Sequence, residues 1–201
     1  VWKSSNLKGE RAISYNLSAD YYAKKYQFSI NIFRTNLKDK IQFSPADDEV
    51  KKFGYSYQWE NVDDAYVQGV ELGAKANLFR NFNAGVNWTF NQGKFKHERA
   101  DWSDPNDETV KEFPQRLQYA KDSRNISRFP AMTGDIDLDY TPGTWSFSLT
   151  SSLQGRMYID YNSEDDGATS KIKKTNTFML FNCRAAKRFG MCTVYAGDRK
   201  S

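Results

Sequence analysis

Residues able to do chemistry are few in this chain, and they gather between its periodic stretches. His97 is the single histidine and opens the longest non-periodic stretch, where the choice lies between a metal or haem ligand and a solvated loop side chain. Asp101, Asp104, Asp107 and Glu108 cluster close behind it, and Glu164, Asp165 and Asp166 form a second acidic group. Oxygen-rich clusters suit Ca²⁺, but neither group has EF-hand spacing, so no metal is assigned. No credible Ser/His/Asp or Cys/His arrangement forms around the single loop histidine, and acids scattered through every loop define no carboxylate pair. The chain therefore reads as something other than an enzyme, with no cofactor required. Cys183 and Cys192 are too few for a disulfide framework, and their offset around Phe189-Gly190 argues against direct opposition. Asn125-Ile126-Ser127 matches a glycosylation sequon by pattern alone. What remains are loop aromatics: Tyr55, Tyr57, Trp59, Trp102 and Tyr119 offer rings that can stack on a ligand. With His97 they are the candidate ligand-binding residues.

These residues must be held by strands. In Thr144–Asp160, Trp145, Phe147, Leu149, Leu153, Met157 and Ile159 alternate with Ser146, Ser148, Thr150, Gln154, Arg156 and Asp160, a period of two over about fifteen residues. Soluble strands usually run about five or six residues, whereas about nine to eleven tilted residues cross a bilayer. The same patterning predicts strands near 12–24, 27–43, 64–78, 82–95, 129–141, 144–160 and 175–188, with a stub from 191. A parity slip at Phe33, Thr35 and Leu37 suggests a β-bulge or a strand end. Short turns fall near 25, 80, 142 and 190. Long loops fall at 44–61, 96–128 and 161–174, the middle one without periodicity. Tyr21, Tyr22, Tyr26, Phe79, Phe82, Tyr140, Trp145 and Phe189 all lie beside the short turns, as an interfacial aromatic girdle would.

The composition agrees. The 201 residues carry net charge +4 with 27% charged side chains and no basic stripe, so no nucleic-acid partner is expected. Mean hydropathy is −0.79 and no apolar run approaches the length of a spanning helix, but a barrel hides its signal by alternation. The expected fold is all-β, an antiparallel transmembrane β-barrel segment of about eight strands. Leu72, Ala74, Val86 and Trp88 face outward. Glu71, Lys75, Asn87, Asp135, Asp137, Gln154 and Arg156 face the lumen. A soluble sandwich explains the alternation but neither the strand length nor the girdle.

Asn6-Leu7-Lys8-Gly9-Glu10-Arg11 followed by Ser14-Tyr15-Asn16-Leu17, and Asn61-Val62-Asp63-Asp64-Ala65-Tyr66-Val67-Gln68-Gly69-Val70-Glu71, resemble recurring segments of TonB-dependent outer-membrane receptors. Phe33–Ile41, Arg128-Phe129-Pro130-Ala131 and Phe189-Gly190 through Gly197 are similar to its other strands, while Asp198–Ser201 departs from it. The resemblance implies residues 1–201 are part of a 22-stranded barrel, with the plug domain and closing strands lying outside them. It implies a Gram-negative outer membrane, lipid and lipopolysaccharide around the barrel, and contact with the TonB energy-transducing complex through the plug. The implied ligand is a scarce nutrient such as an iron-siderophore, haem or cobalamin. Oligosaccharide uptake and a porin-like barrel piece are the alternatives. The parity assignment predicts that nitroxides at Leu72 and Val86 are relaxed by lipid-dissolved oxygen, and those at Glu71 and Asn87 by a water-soluble reagent; the reverse pattern refutes it.

Overall fold

The computed structural model describes residues 2–3, 7–46, 48–98, 102, 104–159, 167–169 and 171–200. Eight strands follow one another in antiparallel order: β2 (Arg11–Tyr22), β3 (Tyr26–Pro45), β4 (Tyr57–Phe79), β5 (Phe82–Phe95), β6 (Met132–Tyr140), β7 (Trp145–Gln154), β8 (Phe178–Phe189) and β9 (Cys192–Lys200). A two-residue strand, β1 (Trp2–Lys3), pairs parallel with β4 at Gln58 and Trp59. Three short helices sit in the long connections: α1 (Asp48–Lys51), α2 (Glu108–Glu112) and α3 (Gln115–Ser123). From β2 to β9 each strand pairs with its sequence neighbour, so the long connections share one end of the sheet and the short turns the other.

The period-two sequence becomes two faces because register places like beside like. On one face, Ile30 lies opposite Leu72, Leu72 opposite Trp88, Ala74 opposite Val86 and Leu138 opposite Leu149. Ile13, Leu17, Phe28, Ile32, Leu72 and Phe181 are all exposed there, the reverse of a water-soluble core. The opposite face is mostly polar along its middle, with Asn31, Glu71, Lys75, Asn87, Asp135 and Asp137, and carries Phe33, Leu37, Val67 and Phe95 toward the long-loop end. The rings beside the short turns form a connected series. Phe79 stacks on Phe82 at 4.7 Å, Phe82 meets Tyr140 at 6.2 Å, Tyr140 meets Phe147 at 6.5 Å and Phe147 stacks on Trp145 at 5.8 Å. Lys187 Nζ lies 4.6 Å from the Trp145 ring centre and 5.0 Å from that of Phe189, a cation kept at the girdle by aromatic faces.

Several sequence expectations need correction. The strand from Thr144 stops at Gln154: beyond it the regular register with β6 gives way to single backbone bonds, the Gly155 N–H to the Met132 carbonyl at 2.7 Å and the Ala131 N–H to the Arg156 carbonyl at 3.2 Å. Tyr158 instead makes an isolated bridge to Lys174. The loop placed at 44–61 shrinks, since β3 and β4 go on pairing to Pro45 and Tyr57, and α1 occupies part of what is left. The parity slip at Phe33 is not a bulge: pairing runs unbroken from Tyr26 to Leu37. The irregularity lies at Asp39, whose φ is +52°, with register shifts between Leu37 and Lys40 and between Lys40 and Ile41. Arg34 breaks the apolar pattern without breaking the strand. The last strand is no stub, pairing with β8 from Phe189–Cys192 to Phe181–Lys200.

Aromatic side chains also lie over glycines. A Cβ on Gly69 would stand 2.3 Å from the Phe90 carbonyl oxygen and 2.7 Å from the Phe33 ring, and one on Gly134 would stand 2.4 Å from the Trp88 ring. These glycines let neighbouring strands and rings approach closely. Gly69→Ala sets a methyl against backbone and should cost about 1–3 kcal/mol, read as a lower urea midpoint with an unchanged slope. An unaltered midpoint would show that the close approach is not required.

Candidate functional site

Two regions carry the polar chemistry: the polar sheet face and the long-loop end. On the face, side chains pair across strands. Ser18 Oγ donates to Asn31 Oδ1 at 2.9 Å, and Asn31 Nδ2 donates to Glu71 Oε2 at 2.8 Å. Ser152 and Ser148 donate to Asp135 and Asp139, each at 2.6 Å. Register sets Asn87 opposite Asp135 and Asp137 opposite Thr150, with Lys75 and Asp137 flanking the open space over Gly85. Thus Glu71, Lys75, Asn87, Asp135, Asp137 and Gln154 share one face. Arg156 lies past the end of β7, where its carbonyl accepts the Ala131 N–H. A groove of about 480 Å³ opens on this face at the short-turn end, where Lys24, Lys25 and Lys75 meet Asp137 and Asp139.

The base of the loop end is stitched by the Asn61–Asp64 run. Asn61 Oδ1 accepts the Lys8 N–H at 2.8 Å, while its Nδ2 donates to the Lys8 carbonyl at 3.0 Å and to the Asp39 carbonyl at 2.7 Å. Asp64 accepts the Asp39 N–H at 3.2 Å, and Glu10 accepts the Ile41 N–H at 3.0 Å. The left-handed Asp39 is therefore held from both sides. Asp63 accepts the His97 backbone N–H at 2.7 Å and lies 3.1 Å from His97 Nδ1. His97 thus fastens the start of the long loop to β4. No metal-type group of three His, Cys, Asp or Glu occurs among the described residues.

The loop between β5 and β6 has its own small core, absent from the periodicity because its helices span only five and nine residues. Asp107 caps α2, accepting from the Thr109 hydroxyl at 2.6 Å and the Thr109 N–H at 2.8 Å. The Thr109 hydroxyl and N–H hold the Asp107 carboxyl below its ordinary value. Tyr119 and Ala120 of α3 are buried with Ile172 from the next long loop, against Trp102 and Tyr158. Tyr158 donates to Asp122 at 3.1 Å and Lys174 Nζ lies 4.4 Å from the Tyr158 ring centre, where its side-chain hydrogen bond with Tyr158 holds the ammonium above the usual lysine value. Gln115 Nε2 also donates to the Ala168 carbonyl, so both loops form one packed unit. At its far end, Phe95 N–H donates to the Arg124 carbonyl at 2.8 Å and Arg124 Nε donates back to the Phe95 carbonyl at 3.2 Å.

The candidate aromatics therefore divide. Tyr55, Tyr57 and Trp59 stand half-exposed at the loop end, whereas Tyr119 is 3% exposed and meets Trp102 edge-on at 5.7 Å. Residues that periodicity missed are Asn61, Asp63 and Asp64, which the recurring segment did contain, and Arg116, which lies 5.0 Å over Trp102 and 4.9 Å over Phe113. Asp101, Glu164, Asp165 and Asp166 fall outside the described residues. Cys183 and Cys192 are free and unopposed, Cys183 facing Asp198 and Cys192 facing Phe189. Tyr119→Ala empties the loop core at about 3–5 kcal/mol and should expose Arg116, Lys121 and Arg124 to trypsin while the sheet stays resistant. Unchanged cleavage would refute a packed loop unit.

Comparison with known proteins matches residues 2–197 to the family model described as TonB dependent receptor-like, beta-barrel. Among solved structures, the copper transporter OprC is 20% identical with a TM-score of 0.66, covering 96% of this chain and 25% of its own. A mutant of the ferric enterobactin receptor PfeA from Pseudomonas aeruginosa is 19% identical with a TM-score of 0.62, covering 95% and 25%. The ferric citrate transporter FecA is 17% identical with a TM-score of 0.61, covering 94% and 26%. The chain spans about a quarter of the length of these proteins, and at such identities the likeness is one of fold. The apolar outer face, the girdle, the polar inner face and the matched family model together make this chain a TonB-dependent receptor β-barrel segment.

Proposed function

We propose that the chain forms part of the wall of an outer-membrane receptor that captures a scarce metal chelate at the long-loop end and admits it at the expense of TonB-coupled energy. The observation that carries this reading is the asymmetry of the sheet's two ends. Every short turn lies at one end, behind an aromatic girdle, while every long connection lies at the other, where two of them share a buried core of Tyr119, Ala120 and Ile172. A passive pore has little use for a packed loop unit. A receptor that must hold a ligand before passing it inward has such a use.

In this reading Glu71, Lys75, Asn87, Asp135, Asp137, Gln154 and Arg156 line the lumen and meet the plug, through which TonB acts. Tyr55, Tyr57 and Trp59 present rings to ligand beyond the membrane, Trp102 and Tyr119 shape the loop unit behind them, and His97 fixes where that unit begins. Lipopolysaccharide surrounds the outer rim. That the copper transporter OprC, the ferric enterobactin receptor PfeA and the ferric citrate transporter FecA share this fold favours a metal or metal chelate over an oligosaccharide. The intact receptor carrying this wall should support growth on a ferric chelate as sole iron source only when TonB is present. Deleting residues 104–125 should cut ligand binding by about tenfold or more, on the scale of losing one or two ring contacts, with the barrel still migrating as a compact, boil-sensitive band. Uptake that persists without TonB would sink the reading in favour of a passive pore.

A further inference from the structure

The two arms of the loop between β5 and β6 are rooted in different ways. Backbone bonds and a permanent cation hold the returning arm. The Ile126 N–H donates to the Gly93 carbonyl at 3.1 Å, and Arg124 exchanges bonds with Phe95. The outgoing arm leaves the ladder after Lys96, whose N–H donates to the Asp64 carbonyl at 2.8 Å. His97 makes the next tie, and both of its bonds end on the Asp63 carboxylate.

That carboxylate is already set for a cation. Its Oδ2 accepts the His97 N–H and its Oδ1 the Asp64 N–H, each at 2.7 Å, so two donors that do not titrate fix it in place. Partial burial pushes the Asp63 carboxyl up, but the His97 and Asp64 donors outweigh it and hold it below its ordinary value. The imidazole is the third donor, with Nδ1 3.1 Å from Oδ1, and it must carry a proton there to bond. When both ring nitrogens are protonated, an ion pair is added to the hydrogen bond. The charged neighbours are Lys40, opposite Asp63 on β3, Asp64 on β4, and Lys96 and Glu98 on either side of His97 in the chain. Imidazole is the ordinary side chain that changes charge between about pH 5 and 8, where ammonium groups and carboxylates keep theirs. His97 is the only one this chain has.

We propose that the His97–Asp63 contact is a pH-sensitive clasp, closed in mild acid and loosened toward alkaline pH, that sets how firmly the loop unit is held to the barrel rim. The charged ring favours the closed form. The clasp is therefore fully engaged in mild acid and is lost as the pH rises and the ring gives up its second proton. It fails again only where Asp63 itself takes up a proton. The ring is 71% exposed and the Asp63 side chain 17%, so the pair is screened by solvent and shifts the open population by about two- to fivefold. That the clasp regulates ligand capture rests on the receptor reading; the clasp itself does not.

The test is a spin-label distance measurement on the intact receptor, with Cys183→Ser and Cys192→Ser and with nitroxides at Lys38→Cys on β3 and Lys111→Cys on α2. It needs neither ligand nor TonB. Between about pH 5.5 and about pH 8 the displaced population should rise about two- to fivefold. His97→Gln and Asp63→Asn should each give the alkaline distribution at both pH values. His97→Arg, a cation throughout, should give the acid distribution at both. A distribution that does not move with pH overturns the clasp, as does a shift that persists in His97→Gln. Neither result touches the receptor reading, which falls only if uptake persists without TonB.

Discussion

Backbone amides inside hydrocarbon must find partners within the protein, since each orphaned group costs several kcal/mol there. That constraint dictates the rest of this structure. It forces the eight strands from β2 to β9 into one continuous antiparallel ladder. It also makes strand length a matter of where the partner ends rather than where the side-chain pattern ends. β7 stops at Gln154 although its alternation runs on, because its regular register with β6 ends at Thr133 and only scattered backbone bonds continue. β3 and β4 run far past the apolar belt because each continues to find the other.

With the ladder fixed, side chains divide by parity into two solvents. The apolar face ends at the girdle on one side and at the row containing Arg34 on the other. Both boundaries use the same chemistry, a cation held against aromatic rings: Lys187 over Trp145 and Phe189, and Arg34 over Tyr66. Each keeps an amphipathic group at a level where one end meets hydrocarbon and the other meets headgroups.

Outside the belt, side chains take over what the ladder can no longer supply. Asn61 and Asp64 accept and donate to backbone at Lys8 and Asp39 where pairing slips. Asp63 fastens the chain at His97 as it leaves β5. Above these ties, the loop unit is held by a core of few residues and by Tyr158, Asp122 and Lys174. The loop unit is thereby anchored to the wall at several points rather than hanging free.

Face assignment, turn positions and the asymmetry of the two ends were legible in the sequence, because period-two alternation is a local property and Thr141-Pro142-Gly143 or Phe189-Gly190 carries its own turn chemistry. The recurring Asn61–Glu71 segment pointed to the family, though its residues could not announce which backbone groups they would hold. Pairing partners decided the rest. Arg34 reads as a phase slip in one dimension and becomes a fixed cation at the belt's edge once β4 supplies Gln68 and Tyr66. Tyr119 reads as an exposed loop ring and becomes buried once Ile172 and Trp102 close over it. The real irregularity, at Asp39, leaves no trace in hydropathy, since a bulge is set by which carbonyl meets which amide across strands, and that is known only when the strands have met.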